Sequence, residues 1–161
     1  MGESGRCGAC GEGELREATE TLAVTLPRCG VVVSVAAPAR RCATCGEVHV
    51  TRAVLARAHL AVGRELADRG VRTGDALRHM RKALGLRACD LAQLLDVTPV
   101  TVSHWETGRG APGRAAFVAV AAMVHEALDG TTTTRDRLAV LADGRPYPLA
   151  VTAAFRRRSS G

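Results

Sequence analysis

The sequence predicts an α+β protein in which a small cysteine-rich β-ribbon domain precedes an all-α domain. Two cysteine pairs of the form CxxC lie near the amino end, at residues 7–10 and 42–45. Two short stretches rich in β-branched residues lie between the pairs, whereas residues 74–128 show short apolar repeats with helical spacing. Strand-type and helix-type patterns that are segregated along a chain are typical of an α+β architecture.

Composition narrows the class of protein further. The chain has 161 residues, enough for one ordinary domain or two small ones, and only 2% of them are aromatic. Because few large side chains are available to fill a core, a small amino-terminal domain would need additional stabilisation, such as a bound metal ion. Lys and Arg outnumber Asp and Glu by 22 to 16, and the net charge of +6 favours a polyanion as partner. The chain lacks an apolar run of about 18 residues and a leader pattern, so we expect a cytoplasmic protein without membrane contact.

Residues 1–50 are predicted to form the cysteine-rich domain. The stretches at 22–26 and 31–35 have the length and composition of strands, and residues 27–30 separate them. This pattern predicts a β-hairpin or ribbon whose ends carry the cysteines. In a reducing compartment, paired cysteines are more typical of metal ligands or redox centres than of structural disulfides.

The two cysteine pairs predict a tetrahedral zinc site. Cys7 and Cys10 form one CxxCG segment, and Cys42 and Cys45 form the other. Two intervening residues let both sulfurs of a pair face one ion, and the following glycine permits a tight turn. The four thiolates would complete the shell of one structural Zn(II) per chain. A thioredoxin-like redox pair is the alternative, but it needs a βαβ setting that this pattern lacks.

Four other residues are excluded from this site. Cys29 and Cys89 belong to no pair, and we expect both to be buried small apolar residues. Glu47 and His49 follow the second pair and could suggest a metal-dependent or redox enzyme. A closed thiolate shell offers them no bound water to activate, so we expect solvated side chains and no enzymatic activity.

Residues 51–73 are predicted to be a connecting helix and linker. Thr51 is a potential N-cap, and Gly70 stands where the helix would end. The pattern fits a rigid strut between domains and a dimer seam equally. The apolar repeat comprises Val54, Leu55, Ala58, Val62 and Leu66.

Residues 74–129 are predicted to be a compact helical domain with four short helices, at 76–84, 88–95, 99–107 and 114–128. Residues 86–108 have the pattern of two helices held at a fixed angle by a short turn, with the small Ala92 at their crossing. The candidate core residues are Leu91, Leu94, Leu95, Val97, Val102 and Trp105.

The remaining residues, 130–161, are predicted to be a partly disordered carboxyl-terminal extension. A further helix is expected at 135–142, before the break around Pro146 and Pro148. The three arginines at 156–158 have the composition of a solvated tail that could add non-specific phosphate contacts.

The helix predicted at 99–107 has the properties of one that reads DNA in the major groove. Thr98 can cap its free amides and Pro99 is tolerated at its first position, so its start is well defined. Short polar side chains can bond base edges or phosphates, and Thr and Val can contact thymine methyl groups. Arginines on either side, including Arg114, could hold phosphates. The candidate DNA-binding residues are Arg87, Thr98, Val100, Thr101, Ser103, His104, Thr107 and Arg109.

Three residues of this helix also have a simpler interpretation. Val100 could complete the core, and His104 could be a solvated surface residue. Trp105 is expected in the core rather than stacked on a base.

The order of CxxCG, CxxCG and then Val-Ser-His-Trp-Glu-Thr-Gly at 102–108 resembles the MqsA (YgiT-type) zinc-finger/helix-turn-helix family, whose DNA-binding half is Xre-like and thus similar to the lambda repressor. The resemblance covers roughly residues 7–128. It implies a homodimer that binds a palindromic operator in double-stranded DNA. Many members are antitoxins whose zinc half neutralises a toxin, usually an mRNA-cleaving enzyme, while the complex represses its own operon.

The resemblance carries over to particular positions. It implies zinc thiolates at the four paired cysteines and a base-reading helix at 98–107. The chain departs from the pattern at Val100 and His104, where the family often has Asn and Arg, and at Ala88, where Xre-like domains often have Gln. These departures concern the choice of operator.

We therefore expect a sequence-specific transcriptional repressor, either autonomous or the antitoxin of a toxin-antitoxin pair. The alternative is a zinc-stabilised protein-interaction module whose helical domain only dimerises. A capped, polar, exposed helix flanked by positive charge favours DNA over the alternative.

Overall fold

The amino-terminal part of the chain is a long β-hairpin. In the computed structural model, which describes residues 6–28 and 30–144, β1 (Leu15–Leu26) pairs antiparallel with β2 (Val31–Cys42) along their whole length. The short β3 (Val48–His49) pairs with the cysteine end of β2. Both predicted strands are present but extend well beyond 22–26 and 31–35. Their outer halves contain Thr, Glu, Ala, Pro and Arg, so cross-strand pairing rather than composition decides their length.

One face of the hairpin packs against the first helix, α1 (Arg52–Asp68), which runs back along β2. Thr51 caps this helix as predicted, with its Oγ1 accepting a hydrogen bond from the Val54 amide at 3.3 Å. Leu55 departs from the predicted apolar face, since it is 43% exposed. The core between hairpin and helices contains Leu26, Val33, Val62, Leu66 and Ala76.

Five further helices follow: α2 (Gly74–Ala83), α3 (Ala88–Leu94), α4 (Pro99–Thr107), α5 (Arg114–Asp129) and α6 (Thr133–Ala142). They match the five helices predicted from residue 76 onwards to within two residues. In the carboxyl-terminal core, Leu91, Ala92 and Val102 are fully buried, while Trp105 is partly buried. The other predicted core residues, Leu94, Leu95 and Val97, also pack against this core.

The observed arrangement confirms the α+β class, with a three-stranded antiparallel sheet before six helices among the described residues. Helix α1 contacts β2, α2 and α5, and α6 contacts α3 and α5. The division at residues 50, 73 and 129 stays a prediction, and the basic segment at 156–158 lies outside the described residues. Within the described chain, no helix combines the length and apolar character that crossing a bilayer requires.

Candidate metal centre and nucleic-acid interface

Four thiols cluster at the end of the hairpin opposite its turn. Cys7 and Cys10 precede β1, Cys42 ends β2 and Cys45 follows it, and their sulfur atoms all lie within 4.8 Å of one another. The Sγ atoms of Cys7 and Cys45 are 3.7 Å apart, as are those of Cys10 and Cys42. A tetrahedron with Zn–S bonds of about 2.3 Å has edges of roughly 3.8 Å. The four cysteines therefore fit a metal ion such as zinc.

The two cysteine turns have the same backbone construction. The Gly11 amide donates to the Cys7 carbonyl at 2.8 Å, and the Gly46 amide donates to the Cys42 carbonyl at 3.0 Å. Both glycines have a φ of 75°, a left-handed conformation that side chains disfavour. The prediction that a glycine after each pair permits the tight turn is confirmed.

Electrostatic coupling among the thiols also fits a cation-binding site. The Cys42 Sγ lies 3.5 Å from the Cys45 amide and 3.4 Å from the Thr44 amide, and these donors lower the pKa of Cys42 to about 6. The Glu47 amide favours the Cys45 thiolate, but hydrogen bonding to Cys42 and burial outweigh it and raise the pKa of Cys45 to about 12. Such closely spaced thiolates repel one another, so a metal cation is what would stabilise all four together.

Two residues beside the cluster make contacts that the sequence prediction did not assign. His49 is half-buried and its Nε2 lies 3.3 Å from the Cys7 Sγ, so the expectation of a solvated side chain is wrong for His49. Glu47 is exposed as expected. At Gly13, an added Cβ would lie 2.1 Å from the Cys42 Sγ. The available signals were a histidine shortly after the second pair and a glycine shortly after the first.

The two unpaired cysteines have different outcomes. Cys89 is exposed in the first turn of α3, with its Sγ 3.7 Å from Asp90 Oδ1, so the expectation that it is buried is wrong. Cys89 lies on the solvent side of α3, whereas Ala88 and Leu91 pack against the core. Cys29 lies outside the described residues.

The candidate reading helix, α4, begins and ends at the predicted residues. Thr98 Oγ1 accepts a hydrogen bond from the Thr101 amide at 3.1 Å, Pro99 is the first helical residue, and Gly108 ends the helix with a φ of 77°. Val100 is 61% exposed, so it does not complete the core. Three other predicted contact residues on α4 are also exposed: Ser103, His104 and Thr107. Thr101 is half-buried.

The predicted phosphate contacts differ in their surroundings. Arg109 and Arg114 are exposed, beyond the end of α4 and at the start of α5. Arg87 is also exposed, but its guanidinium bonds Asp90, with Nη2 2.8 Å from Oδ1, and holds the pKa of that carboxyl well below its usual range. In this conformation the Arg87 guanidinium stabilises the start of α3.

The tight α3–turn–α4 unit, with a capped and exposed second helix, is the arrangement of a DNA-reading helix pair. Comparison with protein-family models finds that residues 72–141 match the helix-turn-helix domain. These residues form a helix-turn-helix domain. The match supports a DNA-binding regulator in general terms, and together with the cysteine cluster it agrees with the resemblance described above. No curated protein and no solved structure matches the chain.

Within the helix-turn-helix domain, a buried ion pair joins α2 to α4. Arg81 Nε and Nη2 donate to the two Glu106 carboxylate oxygens at 2.5 and 2.9 Å, and Arg81 Nη1 donates to the Leu86 carbonyl at 2.7 Å. Both residues are less than a tenth exposed. The sequence prediction missed this pair, although Glu106 stands four residues after Val102, on the side of α4 predicted to be buried.

The hairpin turn contacts the same end of the helix-turn-helix domain. The Arg28 amide donates to Asp75 Oδ2 at 2.7 Å, and its Nη1 donates to the Glu106 carbonyl at 2.8 Å. Gly74 allows α2 to approach α4 closely, because a Cβ there would lie 1.9 Å from the Trp105 carbonyl oxygen. The hairpin turn, α2 and α4 thus meet at this end of the helix-turn-helix domain.

Proposed function

We propose that the protein is a zinc-containing transcriptional repressor that acts in the cytoplasm and binds a palindromic operator as a homodimer. The observation that carries this proposal is the exposed polar face of α4 in the helix-turn-helix domain. On the buried side of α4, the Arg81–Glu106 ion pair fixes the helix in place. An anchored helix can present side chains to base edges without losing much entropy on binding. The proposal involves binding and no catalytic step.

The candidate residues divide into two kinds of contact. Val100, Thr101, Ser103, His104 and Thr107 lie on α4 and would face bases. The Thr107 hydroxyl also donates to the Ser103 carbonyl at 2.8 Å, and the Thr98 hydroxyl caps the helix. Thr98 therefore acts by positioning α4. The second kind of contact is with phosphates, which Arg87 and Arg109 would bind.

The test is a fluorescence-anisotropy titration against the upstream region of the gene and against a scrambled duplex. We expect wild-type protein to bind the upstream region more tightly than the scrambled duplex. Nuclease footprinting of the upstream region should show two protected half-sites about 34 Å apart. The double variant Thr101→Ala/His104→Ala should lose the preference, whereas Arg109→Ala should weaken both duplexes alike. Equal wild-type affinity for both duplexes would instead support the interaction-module alternative, in which the helical domain only dimerises.

We further propose that the four cysteines hold one structural Zn(II) per chain. Their sulfur spacing and the two glycine turns support this assignment. X-ray absorption of the purified protein should show an all-sulfur shell with Zn–S distances of roughly 2.3 Å. A shell containing nitrogen, or a deficit of metal with both pairs oxidised, would contradict it.

The domain division leads to a related expectation. Cys42→Ser should loosen the cysteine end of residues 1–50 and leave the helices folded, because Leu26 and Val33 at the other end share a core with α1. Hydrogen exchange along the hairpin measures this, and parallel loss of protection in α2 to α5 would contradict the division.

A second candidate function is that of an antitoxin. The cysteine end is separated from the hairpin turn by strands of twelve residues, or about 40 Å, so a partner bound there would leave α4 free. This arrangement supports simultaneous binding of a toxin and DNA. The test expresses the neighbouring reading frame alone and together with this chain. We expect the neighbouring reading frame to arrest growth when expressed alone, and co-expression of this chain to relieve the arrest. A neighbour that does not affect growth would contradict the antitoxin role and favour a repressor that acts alone.

A further inference from the structure

The hairpin turn carries an arginine beside the carboxyl end of α4, although it lies outside the residues that match the helix-turn-helix domain. The Arg28 amide donates to Asp75 Oδ2, its Nε lies 3.9 Å from Asp75 Oδ1, and its Nη1 donates to the Glu106 carbonyl. Its side chain nevertheless stays 52% exposed. The guanidinium therefore has donors left for another ligand.

Two more exposed arginines flank the same end of α4. Arg72 lies just before Thr73, the cap of α2, and the next residue is Gly74, which approaches the Trp105 carbonyl. Arg109 directly follows Gly108, and its amide donates to the His104 carbonyl at 2.9 Å. Arg28, Arg72 and Arg109, hereafter the arginine cluster, thus come from three segments of the chain.

The acids at this end of α4 lie below the surface. Asp75 and Glu106 are only 8% and 7% exposed, and the Glu106 carboxylate is occupied by Arg81. The carboxyl end of a helix carries partial negative charge that would repel a phosphate. The Arg28 guanidinium covers one of the carbonyl groups that carry this charge. The surface here is consequently cationic.

We propose that the arginine cluster binds phosphates of the DNA backbone beside α4, so that the turn of the cysteine hairpin belongs to the DNA interface. This proposal rests on the proposed function. A helix in the major groove is flanked by phosphates of both strands, and phosphate contacts fix its register. Arg28 and Arg72 extend the interface beyond Arg109, so DNA affinity depends on the hairpin.

Arg28 could instead serve only as a structural contact for Asp75 and α4. Salt dependence separates the two roles, since each phosphate neutralised contributes about 0.9 to the slope of log K against log salt. The main-chain contact to Asp75 survives any side chain at position 28. Arg28→Lys retains the charge, and Arg72→Ala removes a cluster member without touching the Arg28 contacts.

The experiment measures binding of the full chain to a mixed-sequence duplex of about 30 base pairs at several salt concentrations. We expect Arg28→Ala and Arg72→Ala each to weaken binding about 3- to 10-fold and to reduce the salt slope by about 1, while Arg28→Lys keeps the wild-type slope. The control Arg16→Ala, at the cysteine end of β1, should match wild type. Unchanged slopes in both alanine variants, with wild-type DNA binding intact, would overturn the cluster and leave the proposed function standing. A wild-type chain that binds no duplex would overturn both.

Discussion

Arg81 and Glu106 form a two-pronged ion pair in the interior, and this pair joins α2, the first helix of the helix-turn-helix domain, to α4. Because the Arg81 guanidinium also reaches the Leu86 carbonyl, the donors of one side chain connect three segments. The side of α4 opposite its exposed polar face is held by charge as well as by apolar contacts.

Removing one partner of this pair should strongly destabilise the protein. Glu106→Ala leaves the Arg81 charge buried without a counterion, which we expect to cost about 3–5 kcal/mol in the free energy of unfolding. Arg81→Leu combined with Glu106→Leu should recover most of that loss. Chemical denaturation measures the effect, and Arg69→Ala, which breaks the exposed Glu65 pair, is the control with an expected loss of about 0–1 kcal/mol. Equal losses for Glu106→Ala and the control would contradict the prediction.

The closeness of Gly13 to Cys42 predicts that no side chain fits at position 13. Gly13→Ala would place a Cβ 2.1 Å from the Cys42 Sγ, so the thiol must move and zinc affinity should fall by at least about 10-fold. Competition with a chromophoric chelator measures this. Gly8→Ala lies in the same turn region with nothing within 4 Å of its Cβ, and it should bind zinc like wild type. An affinity loss shared by both variants would point to a general effect of alanine.

His49 should slow the loss of metal from the cysteine site. Its Nε2 lies 3.3 Å from the Cys7 Sγ, and an N–H donor there would stabilise the thiolate. His49→Leu should therefore release zinc about 10-fold faster to an excess of chelator, and His49→Gln should lie between this variant and wild type. The exposed His104→Leu serves as the control. Wild-type release from His49→Leu would show that the contact has no role in metal retention.

The stability of the α1–α2 contact should depend on pH through His79. Burial of the imidazole lowers the pKa of His79 below the ordinary 6.5, while its Nε2 lies 3.0 Å from the His59 carbonyl. A base whose folded pKa is depressed contributes stability above its unfolded pKa and loses it as pH falls through the folded value. The midpoint temperature of thermal unfolding should thus fall as pH drops below about 6.5, and it should fall less for His79→Gln. The same pH profile in His79→Gln and wild type would exclude His79 as the cause.

Sequence alone determined the features of this protein that depend on neighbouring residues. The CxxCG spacing gave the turn of each cysteine pair, and Thr98 and Pro99 gave the start of α4, because turns and helix caps are formed within a few residues. The same local signals predicted all five helices from α2 to α6.

Only the tertiary structure decided the features that depend on residues distant in the chain. His49 meets Cys7 across 42 positions, Arg81 meets Glu106 across 25, and Arg28 meets Glu106 across 78. A histidine, an arginine or a glutamate has no local preference that reveals its partner. These contacts arise because hairpin pairing and the packing of α1 on β2 bring the segments together, and burial then makes an unpaired charge too costly to leave.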